Sequence, residues 1–399
     1  MTFQGRTIIV ACWLACLCCG AIASLTPTYL PILASAFSTA EGGVVDPVSL
    51  GGISQALFLC GWVAGGVLFG YLADRYGRVR IVGLALLVAI GSMLVSAFVG
   101  THTTYYLVRL SAGIGSGGVM AVATTFVAES LSARSRPLMM GLFANSYAVG
   151  IVSTGIMQAT GMTYSGAAYV LSSFIVIVGI LTLLRPDAPV LHVHSMHGEQ
   201  QPFLTTLRAH RREIVLASLL FGSMLIGLWS AFTWLPSWVS ELAPKESAGS
   251  VRGFAMMSLG LGGIIGSVLM GVLVQRIGRI ATLTITYGSV LVLSLWLYGT
   301  TQTSSQTVLI GLSCLAVFFG MSQGLLSFYI PELFPARIRA TCVGVCFNVG
   351  RLMTAVAVFN LGTVADFFSG IQQALLCFAL IIIIGIAVVP LLRPAKLTM

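Results

Sequence analysis

Charge is scarce in this sequence. Only 8% of its 399 residues are Asp, Glu, Lys or Arg, about a third of the share in soluble globular domains, which excludes water as the main solvent of the fold. Carboxylates are fewer than bases, 11 against 20. Four of the five histidines (His192, His194, His197 and His210) fall in one polar stretch. No nucleophile–base pairing, Gly-rich phosphate loop or metal-ligand spacing rises above chance. That absence argues against an enzyme, so we expect no catalytic residue, no metal and no cofactor.

The nine cysteines (Cys12, Cys16, Cys18, Cys19, Cys60, Cys314, Cys342, Cys346 and Cys377) all lie inside apolar stretches, where they act as small hydrophobes. The Cys16-x-Cys18-Cys19 run looks like a ligand cluster, but adjacent residues on a helix point in different directions. We infer neither a disulfide nor a metal site.

Apolar residues, in contrast, make up 57% of the chain, with a mean hydropathy of +0.99. Between polar punctuation they form twelve stretches: 7–34, 50–73, 80–100, 104–129, 137–160, 165–184, 213–240, 250–275, 280–299, 305–333, 340–364 and 370–392. Each is about 20 residues or more, enough to cross roughly 30 Å of hydrocarbon as helix. The first, with Arg6 ahead of it and Ala21-Ile22-Ala23 inside it, has some features of a secretory signal. Its apolar run outlasts a signal core, so we read it as an uncleaved first span.

A formal net charge of +9 invites a nucleic-acid reading, and the placement of the charges excludes it. With the N-terminus inside, 16 of the 20 basic residues are cytoplasmic: Arg6, Arg75, Arg78, Arg80, Arg134, Arg136, Arg185, Arg208, Arg211, Arg212, Arg276, Arg279, Arg337, Arg339, Arg393 and Lys396. Lys245 and Arg252 are outside, and Arg109 and Arg351 fall within spans. This is the positive-inside bias. It predicts a multi-pass protein of a bacterial-type inner (plasma) membrane with both termini cytoplasmic, whose partners are the bilayer and a small solute; we expect a monomer.

The sequence also repeats itself. Gly70-Tyr71-Leu72-Ala73-Asp74-Arg75-Tyr76-Gly77-Arg78 recurs as Gly271-Val272-Leu273-Val274-Gln275-Arg276-Ile277-Gly278-Arg279. Glu129, Arg134, Arg136, Gly141 and Asn145 find Glu332, Arg337, Arg339, Gly344 and Asn348, and Thr28-Tyr29-Leu30-Pro31 finds Thr233-Trp234-Leu235-Pro236. The spacing stays nearly constant, as a duplicated unit requires. We therefore expect an all-α membrane protein of 12 transmembrane helices in two pseudo-symmetric six-helix bundles, residues 1–184 and 213–399, joined by a polar cytoplasmic linker at 185–212. Parallel repeats of this kind permit alternating access by rocking about a midplane site.

These residues carry a family resemblance. Gly70-x-Leu72-Ala73-Asp74-Arg75-x-Gly77-Arg78 resembles the signature loop between the second and third helices of the major facilitator superfamily, and Arg109-x-x-x-Gly113-x-Gly115 resembles its fourth-helix motif. Pro331-Glu332-Leu333-Phe334-Pro335-Ala336-Arg337-Ile338-Arg339, leading into Phe347-Asn348-Val349-Gly350-Arg351, is similar to the branch holding sugar porters and proton symporters of aromatic acids, sialate and lactate. The resemblance covers the whole chain and implies the major facilitator fold, transport, and a cytoplasmic gate at the loop acid. It also implies proton coupling.

The gate we expect comprises Gly70, Asp74, Arg75, Gly77, Arg78, Glu129, Arg134, Glu332 and Arg337. Glycines allow a tight turn and close helix approach, and Asp74 is placed to accept from a neighbouring helix N-terminus. In the second copy Gln275 replaces the acid, and Glu332 with Arg337 is the expected compensation. Arg80, Arg276 and Arg279 read as orienting charges.

A charge within the bilayer is costly and marks a functional site by default. Arg351 lies 12 residues past Arg339, about 18 Å along a helix, hence near midplane; its equivalent in the first half is Ala148. Asn348 and Phe347 share its face, and a guanidinium beside an amide and a ring suits a carboxylate. Arg109 stands nearer a span end, where substrate contact and snorkelling compete. Gly113, Gly115, Gly117 and Gly118 after it suit close helix packing. Tyr29 and Trp234, ahead of Pro31 and Pro236, belong either to the cavity or to the aromatic belt; we place them in the cavity because prolines interrupt helices. Gln55, Tyr147, Gln158, Gln323 and Tyr329 are further polar candidates.

Two intramembrane cations with no acid or histidine at midplane favour an anionic solute. We expect uptake of a small organic anion, a carboxylate, with the proton coupling implied by the family branch. A neutral sugar porter, a drug or metabolite exporter, and a solute receptor that does not transport are the alternatives.

Overall fold

The computed structural model describes residues 3–131, 136–183, 207–300, 304–335, 338–368 and 370–392. Every regular element in them is helical: α1 Phe3–Glu41, α2 Pro47–Tyr76, α3 Arg78–Ser96, α4 His102–Ser130, α5 Arg136–Ala159, α6 Tyr164–Leu183, α7 Arg211–Glu241, α8 Ala248–Ile277, α9 Arg279–Gly299, α10 Ser305–Glu332 and α11 Arg339–Phe359, then the short α12 Leu361–Phe367, α13 Ile371–Leu380 and α14 Ile382–Val388. With a closing 3-10 turn, α13 and α14 form one span, Ile371–Leu391. The twelve-span fold is thus the one expected. Most of the 185–212 linker, with His192, His194 and His197, lies outside the described residues.

Helix ends follow local chemistry. Asp46 caps α2, its carboxylate accepting from the Ser49 N–H at 2.7 Å, with Pro47 at the first helical position. Thr101 caps α4 in the same way. The eleventh apolar stretch was expected to run to 364, but α11 stops at Phe359, where the Asn360 amide turns back to donate to the Val356 carbonyl at 2.8 Å and takes up an end-of-helix acceptor.

Pro31 and Pro236 do not interrupt their helices, contrary to expectation; they and Pro27 sit within continuous α1 and α7. Packed neighbours make this tolerable in a membrane.

In a bilayer, helices associate through close packing because lipid is as apolar as leucine. A Cβ on Gly65 would stand 1.9 Å from the Ile114 carbonyl oxygen, and one on Gly117 would stand 2.1 Å from that of Trp62, so α2 and α4 meet backbone to backbone. The same joint recurs between α8 and α10, where a Cβ on Gly266 would stand 1.9 Å from the Val317 carbonyl oxygen. The first six helices meet the later ones mainly along α2 with α11 and α5 with α8. That seam holds the features described next.

Candidate functional site

At the arginine-rich end, the turns between α2 and α3 and between α8 and α9 each pivot on one glycine, Gly77 at φ 93° and Gly278 at φ 82°, a region that side chains avoid. The arginine after each glycine bonds the acid that its repeat predicts: Arg78 to Glu129 at 2.8 Å, and Arg279 to Glu332. Arg279 also lies over the Phe328 ring. It is therefore a paired residue, whereas the sequence suggested only an orienting charge. Glu332 pairs with Arg279; Arg337 and Arg134 lie outside the described residues.

Asp74 is 75% exposed, and its described partner is Arg78 at 3.7 Å in place of the expected helix N–H groups. Arg75 stacks on Tyr71, 4.4 Å from the ring centroid. A Cβ on Gly70 would meet nothing within 4 Å, so none of the described residues packs against that face of the glycine. Among the described residues, the ion pairs at this end stay within one set of helices.

The opposite end is closed. A Cβ on Gly51 would lie 3.2 Å from the Trp234 indole nitrogen, and one on Gly52 would lie 3.0 Å from the Val358 carbonyl oxygen. A Cβ on Gly253 would lie 2.6 Å from the Gly155 carbonyl oxygen. Further along the same seam, Ser267 donates to the Asn145 side-chain oxygen at 2.7 Å.

Midway, α11 presents Arg351 to the seam. Its Nη1 donates to the Asn348 side-chain oxygen at 3.3 Å, and its guanidinium carbon stands 5.6 Å from the ring centroid of Trp62 and 5.9 Å from those of Phe221 and Phe347. Three rings within about 6 Å make a cation–π cage. Phe347 packs on Phe221 at 4.7 Å between centroids, and Trp62 packs on Tyr147 at 5.9 Å and on Trp229 at 6.5 Å. The α2–α4 glycine joint fixes the helix that carries Trp62. The cage thus draws rings from α2, on one side of the seam, and from α7 and α11 on the other.

No carboxylate pairs with Arg351 or Arg109 among the described residues. Arg351 and Asn348 are half-buried, whereas the Tyr147 hydroxyl is buried without a described partner.

Arg109 does not snorkel. It is only 3% exposed, donates to the Ile22 carbonyl at 3.0 Å and lies 4.4 Å over the Phe58 ring, with Nε and Nη2 unpartnered. Phe58 touches Trp62 and Trp229, so Arg109 borders the cage through one ring.

Tyr29 is fully buried away from Arg351, its hydroxyl donating to the Met162 carbonyl at 3.0 Å and its ring meeting Tyr164 edge-on. Trp234 sits in the closed seam with its indole N–H unpartnered. Of the remaining polar candidates, Tyr147 joins the cage, Tyr329 is tied to the Leu392 carbonyl at 3.1 Å, and Gln55 and Gln158 are buried nearer the closed end. Sequence reasoning missed Trp62, Phe221, Trp229 and Phe58, since an aromatic inside an apolar run carries no signal of the face it presents.

Membrane-spanning helices, a central cation cage and a two-ended seam define a solute carrier. Residues 11–358 match the Major Facilitator Superfamily, and the chain belongs to that family. It is 26% identical over 358 residues to the probable 4-methylmuconolactone transporter of Cupriavidus pinatubonensis, covering 86% of this chain and 79% of that protein. It is 25% identical over 350 residues to the cis,cis-muconate transport protein of Acinetobacter baylyi, covering 82% and 79%. A crystal structure of a D-xylose–proton symporter aligns with a TM-score of 0.78 over 98% of both chains at 16% identity, a likeness of fold. The protein is a membrane transporter and not an enzyme.

Proposed function

We propose that the chain takes up a small organic anion by alternating access, with Arg351, Asn348 and Phe347 holding its carboxylate and Trp62 closing over its body. The observation that carries this is an intramembrane guanidinium, caged by rings at the seam, with no carboxylate paired to it among the described residues. Arginine has five N–H donors, and the one described hydrogen bond of Arg351 uses one of them. A planar anion is the natural complement of the free fork. An uncompensated charge at this depth costs about 2.5–3.5 kcal/mol or more, which a bound carboxylate offsets. Relatives named for muconate and methylmuconolactone transport support the class.

In this reading the arginine-rich end faces the cytoplasm, the two six-helix sets rock about the cage, and the conformer described is closed to the outside. The Arg78–Glu129 and Arg279–Glu332 pairs, with Asp74, then form the cytoplasmic gate, and Asp74 finds its helix N-terminus when that side closes. Arg109, Tyr29 and Trp234 flank the path. A proton accompanies the anion, travelling on the carboxylate itself or on Asp74 or Glu129.

Uptake of labelled cis,cis-muconate into proteoliposomes tests the assignment, with D-xylose and an organic amine as parallel substrates. We expect the anion to be taken up, driven by an inside-alkaline gradient. Arg351→Ala should abolish uptake while Arg212→Ala, an exposed arginine at the start of α7, retains it. Transport of the sugar or amine instead, or full activity in Arg351→Ala, refutes it.

A further inference from the structure

Arg252 was read from sequence as an outside charge. The structure buries it in the second turn of α8, 9% exposed. Its one described hydrogen bond, to the Ser240 hydroxyl, is long at 3.4 Å; its Nε is unpartnered and no carboxylate pairs with it among the described residues. Across the seam, at the last turn of α5, Gln158 is 4% exposed and its carbonyl oxygen has no partner among the described residues.

The two side chains converge on Gly249. A Cβ there would lie 3.2 Å from the Gln158 amide nitrogen and 4.0 Å from Arg252 Nη2. The space over this glycine is therefore flanked by two N–H donor groups, one from each set of helices. Gly249 and Gln158 also line a hollow of about 440 Å³ together with Ser250, Met162 and Thr163 among others, and Arg252 lies outside that lining. The one acid in the lining, Glu246, is exposed, so solvent screens its charge.

The geometry points to a second anion site, which takes a small carboxylate over Gly249 between Arg252 and the Gln158 amide. Opening of the seam separates α5 from α8 and dismantles the site. A ligand bound there favours the conformer in which this end is closed, because a ligand shifts an equilibrium toward the state it binds better. With this end outside, the proposal takes its sidedness from the function proposed above. It does not depend on Arg351 or on the identity of the transported solute. The site is thus an external brake: carboxylate in the hollow slows the return to the outward-open state.

Thermal stabilisation of the purified full chain by sodium benzoate, against matched sodium chloride, tests the site, since a bound ligand raises stability with its concentration over Kd. Saturable stabilisation should survive in Arg351→Gln, which removes the central cation. Adding Arg252→Gln to that variant should raise the apparent Kd by about tenfold or more, the loss of a charged hydrogen bond, with Arg252→Lys intermediate. Gly249→Val keeps the arginine and fills the space over the glycine, and it should abolish the same component. The proposal is overturned if Arg351→Gln removes all stabilisation by benzoate, if the added Arg252→Gln or Gly249→Val leaves it unchanged, or if chloride stabilises equally. Failure of Arg351→Ala to stop uptake would refute the central site and leave this one standing.

Discussion

At the scale of single residues, the cage separates what a chain can announce from what only packing can assemble. Arg351, Asn348 and Phe347 share one helix face and were legible from spacing alone. Trp62 was not, because it arrives from a helix nearly 300 positions earlier and nothing in an apolar run tells a seam-facing tryptophan from a lipid-facing one. Tyr29 and Trp234 were singled out for the prolines after them, yet those prolines lie inside unbroken helices, and the two side chains stand apart from the cage. Trp62 therefore provides the sharper test. Its ring is 5.6 Å from the guanidinium, and a cation–π contact of this kind contributes about 0.5–2 kcal/mol. We expect Trp62→Ala to raise the KM for muconate uptake by about tenfold and Trp62→Phe to raise it by no more than a few-fold. Equal KM values in Trp62→Ala and the parent protein would remove the ring from the site.

At the scale of elements, helix positions were legible to within a few residues, because hydrocarbon thickness imposes length and arginines and glycines mark the ends. Three details escaped: the run of α1 on to Glu41 past the expected end at 34, the stop of α11 at Asn360, set by one side-chain hydrogen bond, and the continuity of α1 and α7 through their prolines, set by neighbours. Packing of the glycines was legible in type, since the run after Arg109 was read as a contact surface, but the partner helix was not. That partner is α2 for Gly113, Gly117 and Gly118 and α3 for Gly115, and the contact leaves no room for a side chain. A Cβ on Gly65 would stand 1.9 Å from a carbonyl oxygen, where only backbone movement can relieve it, whereas one on Gly91 would meet nothing within 4 Å. Overpacking costs about 1–3 kcal/mol or more. Gly65→Val should lower the thermal midpoint of the detergent-solubilised protein sharply or prevent its recovery, while Gly91→Val leaves it within a degree or two. Comparable midpoints for the two would show that α2 and α4 have slack at this joint.

At the scale of the whole molecule, the repeat is visible in chemistry as well as in sequence: Gly77 and Gly278 turn alike, Arg78–Glu129 matches Arg279–Glu332, and the α2–α4 joint matches that of α8 and α10. The two sides of the seam are not equivalent in what they carry, since Arg351 answers to Ala148. Ala148 lies midway along α5, and its Cβ is 3.7 Å from where a Cβ on Gly263 of α8 would be, close to the separation of about 3.8 Å in a disulfide. Ala159, the last residue of α5, lies beside Ser250 at the closed end, its carbonyl accepting from the serine hydroxyl at 3.5 Å. These two pairs distinguish rocking from sliding. If the helix sets rock about the cage, the middle of the α5–α8 contact moves little and its end moves most. A disulfide in Ala148→Cys/Gly263→Cys should then leave a substantial share of uptake, while cross-linked Ala159→Cys/Ser250→Cys arrests it and reductant restores it. Arrest by both cross-links alike would mean that the helices slide past each other along their whole length, and the cage would then not be the pivot.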